Sequence, residues 1–180
     1  MTISLRPLET RDVAPIAAAF AALGWDKPAA QYERYLQDQE AGRRVVLVAF
    51  AADDAFAGYL TVVWESGYPA FRDANIPEIV YFNVLPPLRR NGIGTRLMDA
   101  AEQLIAERGF ATAGIGVGMT PDYGAAQRLY VRRGYVPDGR GLVSGDRFVR
   151  YSDTVRVDDG LVLYLTKSLK GYSPPETVES

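Results

Sequence analysis

The stretch Val84-Leu-Pro-Pro-Leu-Arg89-Arg90-Asn91-Gly92-Ile93-Gly94-Thr95 concentrates residue types that bind anions through the backbone. Two prolines stop the segment before them, and two glycines two residues apart open an amphipathic segment after them. Glycine lets the chain turn tightly and lets a ligand reach the amides with no Cβ in the way. A helix starting there presents unpaired N–H groups and a partial positive charge. Arg89 and Arg90 add cationic donors. This is a cradle suited to phosphate or pyrophosphate. The plainer alternative, glycines that only shape a strand-to-helix turn, fits Gly-x-Gly alone better than the full Arg-x-x-Gly-x-Gly. Two commoner phosphate loops do not fit. A P-loop needs Lys-Ser/Thr after its last glycine, where Thr95-Arg96 stands, and the dinucleotide fingerprint needs a small residue where Leu97 stands.

Two absences narrow the chemistry further. The 180 residues contain no histidine and no cysteine. Without cysteine there is no disulfide framework, thiolate nucleophile or redox couple. Without histidine the Ser-His-Asp and Cys-His machines lack their proton shuttle. Zinc and iron lose their usual ligands, so no metal site is expected. Chemistry must run on Tyr, carboxylates, Ser/Thr, Lys/Arg, backbone amides or a borrowed cofactor. A hydrophobic fraction of 48% and a net charge of −2 describe an ordinary globular chain of one domain, with no bias toward nucleic acid. The first 20 residues lack the pattern of a secretory signal. The apolar run Val45–Ala52 falls far short of the roughly 20 residues that cross a bilayer. A cytoplasmic protein without membrane contact is expected.

The elements that must position the cradle follow from periodicity. Ile3–Pro7 reads as a strand, and Thr10 as the cap of a helix reaching about Leu23, with Val13, Ile16, Ala17, Phe20 and Leu23 at helical spacing. Lys27–Glu40 is a second helix. Arg43–Ala51 and Phe56–Glu65 form an antiparallel hairpin, residues 66–77 a loop, and Glu78–Leu85 a strand. A helix from about Thr95 to Arg108 follows, capped by Gly109. Then come strand Ala113–Gly118, helix Tyr123–Arg133, a short strand at Tyr135–Val136, a possible strand at Arg147–Tyr151 and a last strand at Leu161–Lys167. The expected fold class is a mixed α/β sheet flanked by helices, filling residues 1–170, with Gly171–Ser180 a disordered tail.

Placed on these elements, the cradle resembles that of the GNAT superfamily of acyl-CoA-dependent N-acetyltransferases. Their signature, Gln/Arg-x-x-Gly-x-Gly/Ala, is matched by Arg89, Gly92 and Gly94. Downstream, Ala126-Gln-Arg-Leu129-Tyr130-Val-Arg-Arg-Gly134-Tyr135 is similar to the family's Ala-x-x-Leu-Tyr-x-x-x-Gly-Phe/Tyr element. The likeness covers roughly residues 3–167. It implies a mostly antiparallel sheet whose central parallel strands splay, and acetyl-CoA as co-substrate.

The resemblance also assigns roles. Arg89, Arg90, Asn91, Gly92, Ile93, Gly94 and Thr95 would hold the pyrophosphate. Pantetheine would lie between strands Glu78–Leu85 and Ala113–Gly118, with Val84, Leu85 or a neighbour offering an amide to the thioester oxygen. Tyr130 would protonate the departing thiolate, a sensible donor with a reference pKa of about 10 against about 8.5 for a thiol. Glu78 would take the proton of the amine through water, although water or an already neutral amine remain alternatives. Glu65, Asp73 and Asp122 are weaker candidates. Many relatives carry Asn three residues before the Ala of the second motif, as a cofactor contact. Here Tyr123 stands there, which weakens the transfer of that contact.

Other expectations concern the surroundings. Gly114, Gly116 and Gly118 leave one side of their strand bare, either for a ligand or for helix packing. The acceptor, a primary amine, would meet Ala22–Tyr35, Gly67–Ile76 and Asp138–Gly160. These segments carry Trp25, Tyr32, Tyr68, Phe71, Asp73, Asp146, Asp153 and Asp158. The rival readings are a non-catalytic acyl-CoA-binding module and a nucleotide-binding protein of another class. An exposed last strand or hairpin could pair two chains as a homodimer.

Overall fold

The computed structural model describes residues 2–171. In chain order its elements are β1 (Ser4–Pro7), α1 (Val13–Ala21), α2 (Ala29–Glu40), β2 (Arg44–Phe50), β3 (Phe56–Val63), α3 (Pro69–Asp73), β4 (Glu78–Val84), α4 (Ile93–Glu107), β5 (Thr112–Gly118), α5 (Gly124–Arg132), β6 (Val136–Ser144), β7 (Arg147–Phe148) and β8 (Leu161–Ser168). The fold is mixed α/β. Of the tail expected to be disordered, all but Gly171 lies outside the described residues. No helix among the described residues is long and apolar enough to cross a membrane.

The chain divides into two compact units. Among the described residues, one contains residues 2–64 with Val80–Leu104, and the other Glu65–Ile79 with residues 105–171. In the first, the strand order is β1-β2-β3-β4. β2 pairs antiparallel with both β1 and β3, and the register with β3 shifts between Ala49 and Phe50. Sheet residues Val46, Val48, Phe50, Phe56 and Tyr59 pack with Val13, Ile16 and Phe20 of α1 and Tyr32 and Tyr35 of α2 in one core. The entry to α1 differs from expectation. Thr10 does not cap it. The threonine lies inside a turn, Thr10–Asp12, closed by a capping box between Glu9 and Asp12, in which Asp12 accepts from the Glu9 amide at 2.9 Å and also from Arg6 at 2.6 and 2.7 Å. A carboxylate there also answers the positive end of the helix.

In the second unit the order runs from the start of β4 as β4-β5-β8-β6-β7. β4 is parallel to β5, whereas β5 with β8, β8 with β6 and β6 with β7 pair antiparallel. All of β5 pairs with β8, from Thr112↔Ser168 to Gly118↔Val162. β8 is paired on both sides, so of the two features that could pair chains the last strand offers no free edge. The edge is β7, only two residues long. Two further expectations are revised. The loop at 66–77 holds the short helix α3, started by Pro69 at its first turn. The strand begun at Val136 runs on to Ser144, because the four residues Asp138, Gly139, Arg140 and Gly141 absorb a register shift between Pro137 and Leu142, both glycines having left-handed backbone.

Candidate functional site

The turn before α4 owes its shape to backbone that only a few residue types adopt. Arg90 and Gly92 both have left-handed backbone, with φ of +65° and +77°. At Gly92 a Cβ would meet nothing within 4 Å, so conformation and not space demands glycine there. The turn is braced by its own side chains. Arg89 Nε donates to the Val84 carbonyl at 3.1 Å, and Asn91 Nδ2 to the Leu88 and Arg89 carbonyls at 3.2 and 3.3 Å. The first helical bond of α4 runs from the Arg96 amide to the Gly92 carbonyl at 3.0 Å. Upstream of it, the amides of Gly92, Ile93, Gly94 and Thr95 have no helical acceptor. Buried Ile93, Leu97 and Met98 anchor the helix beneath them, so Ile93 can offer a ligand only its backbone.

β4 carries a distortion that the sequence did not announce. It pairs with β5 only at Glu78↔Gly114 and Ile79↔Ile115. Two residues later Tyr81 takes φ +53°, a rare conformation for a bulky side chain. Its half-exposed ring stacks on Tyr35 at 5.6 Å, and the Arg44 guanidinium covers Tyr35 at 4.5 Å. Beyond the kink, β3 and β4 approach so closely that a Cβ on Gly58 would sit 2.5 Å from the Asn83 carbonyl oxygen. The Leu85 amide donates to Ala57 at 3.0 Å and is thereby engaged, which leaves Val84 as the candidate of the expected pair.

Within the second unit, Glu78 is not the solvated strand end that its position suggests. It is 7% exposed, and its Oε2 accepts from the Ser66 hydroxyl at 2.5 Å. Ser66, itself buried, accepts from the Tyr68 amide at 2.9 Å. Burial pushes the Glu78 carboxyl above its ordinary pKa, and the Ser66 hydrogen bond partly opposes this. Tyr130 is buried at the end of α5, with its ring 6.1 Å from that of Tyr135. Burial, followed by the influence of Tyr123, raises its hydroxyl well above the usual tyrosine range. Tyr123 is partly buried, and its hydroxyl donates to Asp159 at 3.1 Å.

The glycine stripe of β5 is used for packing. A Cβ at Gly114 would collide with the Phe71 ring, at Gly116 with Val162 and Tyr164, and at Gly118 with the Tyr123 ring. The bare side is therefore filled by protein. Several expected acceptor contacts also turn inward. Tyr32 and Phe71 are core residues, and Trp25 stacks on Phe20 at 5.6 Å. The acids of the β6–β8 segment are largely matched. Asp153 pairs with Arg147 at 2.9 Å and Asp158 with Arg156 at 3.3 Å. Glu65, Asp73 and Asp122 are exposed, leaving Glu78 as the buried carboxylate among the candidates. Ser66 was missed because a lone serine in a loop carries no spacing signal.

The sequence matches the acetyltransferase (GNAT) family over residues 13–135, about two thirds of the chain. The chain belongs to the GNAT acetyltransferase family. Among solved structures, the acetyltransferase is similar in fold to a spermidine N-acetyltransferase SpeG chimera from Vibrio cholerae and hSSAT, with TM-score 0.69 and 14% identity over 96% of this chain and 98% of that one. It is similar to yncA of Salmonella typhimurium, solved with acetyl-CoA, with TM-score 0.67 and 15% identity over 98% and 99%. It is also similar to the paia N-acetyltransferase of Thermoplasma acidophilum, in complex with coenzyme A, with TM-score 0.65 and 15% identity over 93% and 99%. At such identities these likenesses speak for the fold alone. No curated protein matches the sequence.

In this acetyltransferase the first unit gathers Val84, Leu85 and Arg89–Thr95 around one turn. The second gathers Glu78, Ser66 and Tyr68 in one hydrogen-bonded chain, and Tyr123 beside Gly118. The signature turn and Tyr130 were legible as motifs. The Glu78–Ser66 contact and the Tyr81 kink were not, because both arise from strand pairing.

Proposed function

We propose that the chain transfers an acetyl group from acetyl-CoA to a primary amine, by direct attack of the amine in a ternary complex. A single catalytic domain over residues 1–170 is part of this reading. The observation that carries it is the braced turn at the start of α4, where left-handed Gly92 leaves four successive amides without helical acceptors. Those amides, with Arg89 and Arg90, suit a pyrophosphate. When bound, acetyl-CoA supplies the acyl group as a thioester with a good leaving group.

The chain's own groups then have separate tasks. The Val84 amide polarises the thioester carbonyl and stabilises the developing oxyanion. Glu78 accepts a proton from the amine, directly or through one water. Its raised pKa makes it a stronger base than an ordinary glutamate. Tyr130 keeps its proton at neutral pH, because burial raises its pKa. It therefore serves first as a hydrogen-bond donor to the departing sulfur. Full proton transfer to a thiolate is uphill for so weak an acid, so solvent completes it.

Thermal denaturation with CoA, acetyl-CoA, ATP and NAD is the first test, since a ligand of the native state raises the melting temperature by mass action. CoA and acetyl-CoA are expected to raise it at millimolar concentration. No shift with either overturns the reading. A thiol-release screen over polyamines, aminoglycosides, amino acids and lysine or N-terminal peptides then finds the acceptor class. CoA binding with no release on any amine supports the non-catalytic acyl-CoA-binding alternative.

A further inference from the structure

We propose that Ser66 is a positioning residue that makes Glu78 a one-sided base, holding Oε2 so that Oε1 alone takes the proton of the acceptor amine. The proposal rests on the reading of Glu78 as base. Its geometry is a directed chain. The Tyr68 amide donates to Ser66 Oγ at 2.9 Å, and Ser66 Oγ lies 2.5 Å from Glu78 Oε2. A hydroxyl oxygen that already accepts from an amide directs its own hydrogen elsewhere, and an ionised carboxylate can only accept. Ser66 is therefore the donor.

The chain is anchored at its far end. Tyr68 is 4% exposed, and its ring lies parallel to that of Tyr164 at 3.7 Å. Its hydroxyl donates to Asp138 at 2.8 Å. The amide that fixes Ser66 is thus held by packing on β8 and by a hydrogen bond to β6. Short charge-assisted bonds of this kind both orient a carboxylate and favour its ionised form.

The surrounding charges give Ser66 this task by default. The groups acting around the cluster are Tyr164 on β8, and Asp138 and Arg140 on β6. Arg140 acts on Tyr68 and pairs with Asp138 only at 3.9 Å. The influences on Glu78 are burial, which favours the neutral acid, and the Ser66 hydrogen bond, which favours the carboxylate. A base buried without a cation would be protonated over more of the working range if the hydroxyl were removed. The Ser66 hydroxyl thus sets how far down in pH the base remains available. No group is consumed in this role. The proton moves from amine nitrogen to Oε1, and the Ser66 proton stays on its own oxygen.

The test reads Glu78 itself as well as turnover. Carboxyl-carbon NMR titrations of the free protein compare wild type, Ser66→Ala and Ser66→Thr. Ser66→Ala is expected to raise the Glu78 midpoint by about one to two pH units, and Ser66→Thr to restore it. Ser66→Cys, nearly the same shape with a weaker donor, should shift the midpoint less in the same direction, and serves if the alanine variant does not fold. An unchanged midpoint in Ser66→Ala or Ser66→Cys overturns the proposal. With the amine of the screen that releases thiol fastest, the acid limb of kcat/KM should move up by the same amount in Ser66→Ala and vanish in Glu78→Gln. If Glu78→Gln keeps the wild-type rate and limb, the base reading falls and this proposal with it. If Glu78→Gln loses the limb while Ser66→Ala keeps it, Ser66 alone is removed.

Discussion

Glu78 is the residue at which stability and its proposed role as base conflict. Its folded pKa is raised by burial, against the pull of Ser66. For such a group the favourable contribution is complete below the unfolded pKa and lost as pH rises through the folded one. At neutral pH the native state therefore carries the cost of an ionised buried carboxylate. Glu78→Gln should melt higher than wild type at about pH 8, and the gap should close by about pH 3, below the unfolded pKa, where both states of the wild type are protonated. Calorimetry at the two pH values checks this. A gap that widens in acid contradicts the assignment. Turnover should move the other way and fall about 100-fold or more. Tyr130→Phe separates chemistry from binding. It should lower kcat about tenfold or more with the KM for acetyl-CoA near wild type, as long as chemistry limits the rate. At this scale sequence reading went far, because Tyr130 and the glycines of the turn belong to spaced motifs. It failed for Ser66, whose meaning comes from a partner 12 residues away.

At the scale of elements, the turn before α4 and the entry to α1 are the informative parts. Gly92→Ala places a side chain at φ +77° in open space, so its cost is conformational, about 1–2 kcal/mol. Urea unfolding should show that loss. The variant should also lose most of the melting-temperature rise given by CoA, since the amides of the turn depend on that backbone. At α1, burial alone would push the Asp12 carboxyl up, but the Arg6 hydrogen bond and the Glu9 amide outweigh it and hold the pKa below the usual range. A depressed pKa stabilises above the unfolded value and is lost as pH falls through the folded one. Asp12→Asn should thus cost about 1–2 kcal/mol at neutral pH, and the difference from wild type should shrink below about pH 3. Element types were legible wherever periodicity was long, as in α2, α4 and β2. Thr10 misled because Ser and Thr lead the usual caps, whereas here it lies inside a turn closed by Glu9 and the salt-bridged Asp12.

For the whole molecule, the absent histidine and cysteine constrain kinetics as well as composition. With no thiolate available for an acyl-enzyme, initial-rate plots against acetyl-CoA and amine should intersect, and parallel lines would indicate a covalent intermediate. Thiol reagents should give no background from the protein, so released CoA can be counted directly. By itself the sequence determined most of the order of elements, the glycine-bearing turn before α4, the family resemblance and the exclusion of imidazole and thiolate chemistry, because these depend on residue type and local spacing. Tertiary structure decided what pairing and burial create. It kinked β4 at Tyr81, closed the glycine side of β5 with Phe71 and Tyr123, and placed β8 between β5 and β6. It also turned Glu78 from a strand end into a buried carboxylate held by Ser66. A pKa follows from the groups around an atom, and those are chosen by the fold.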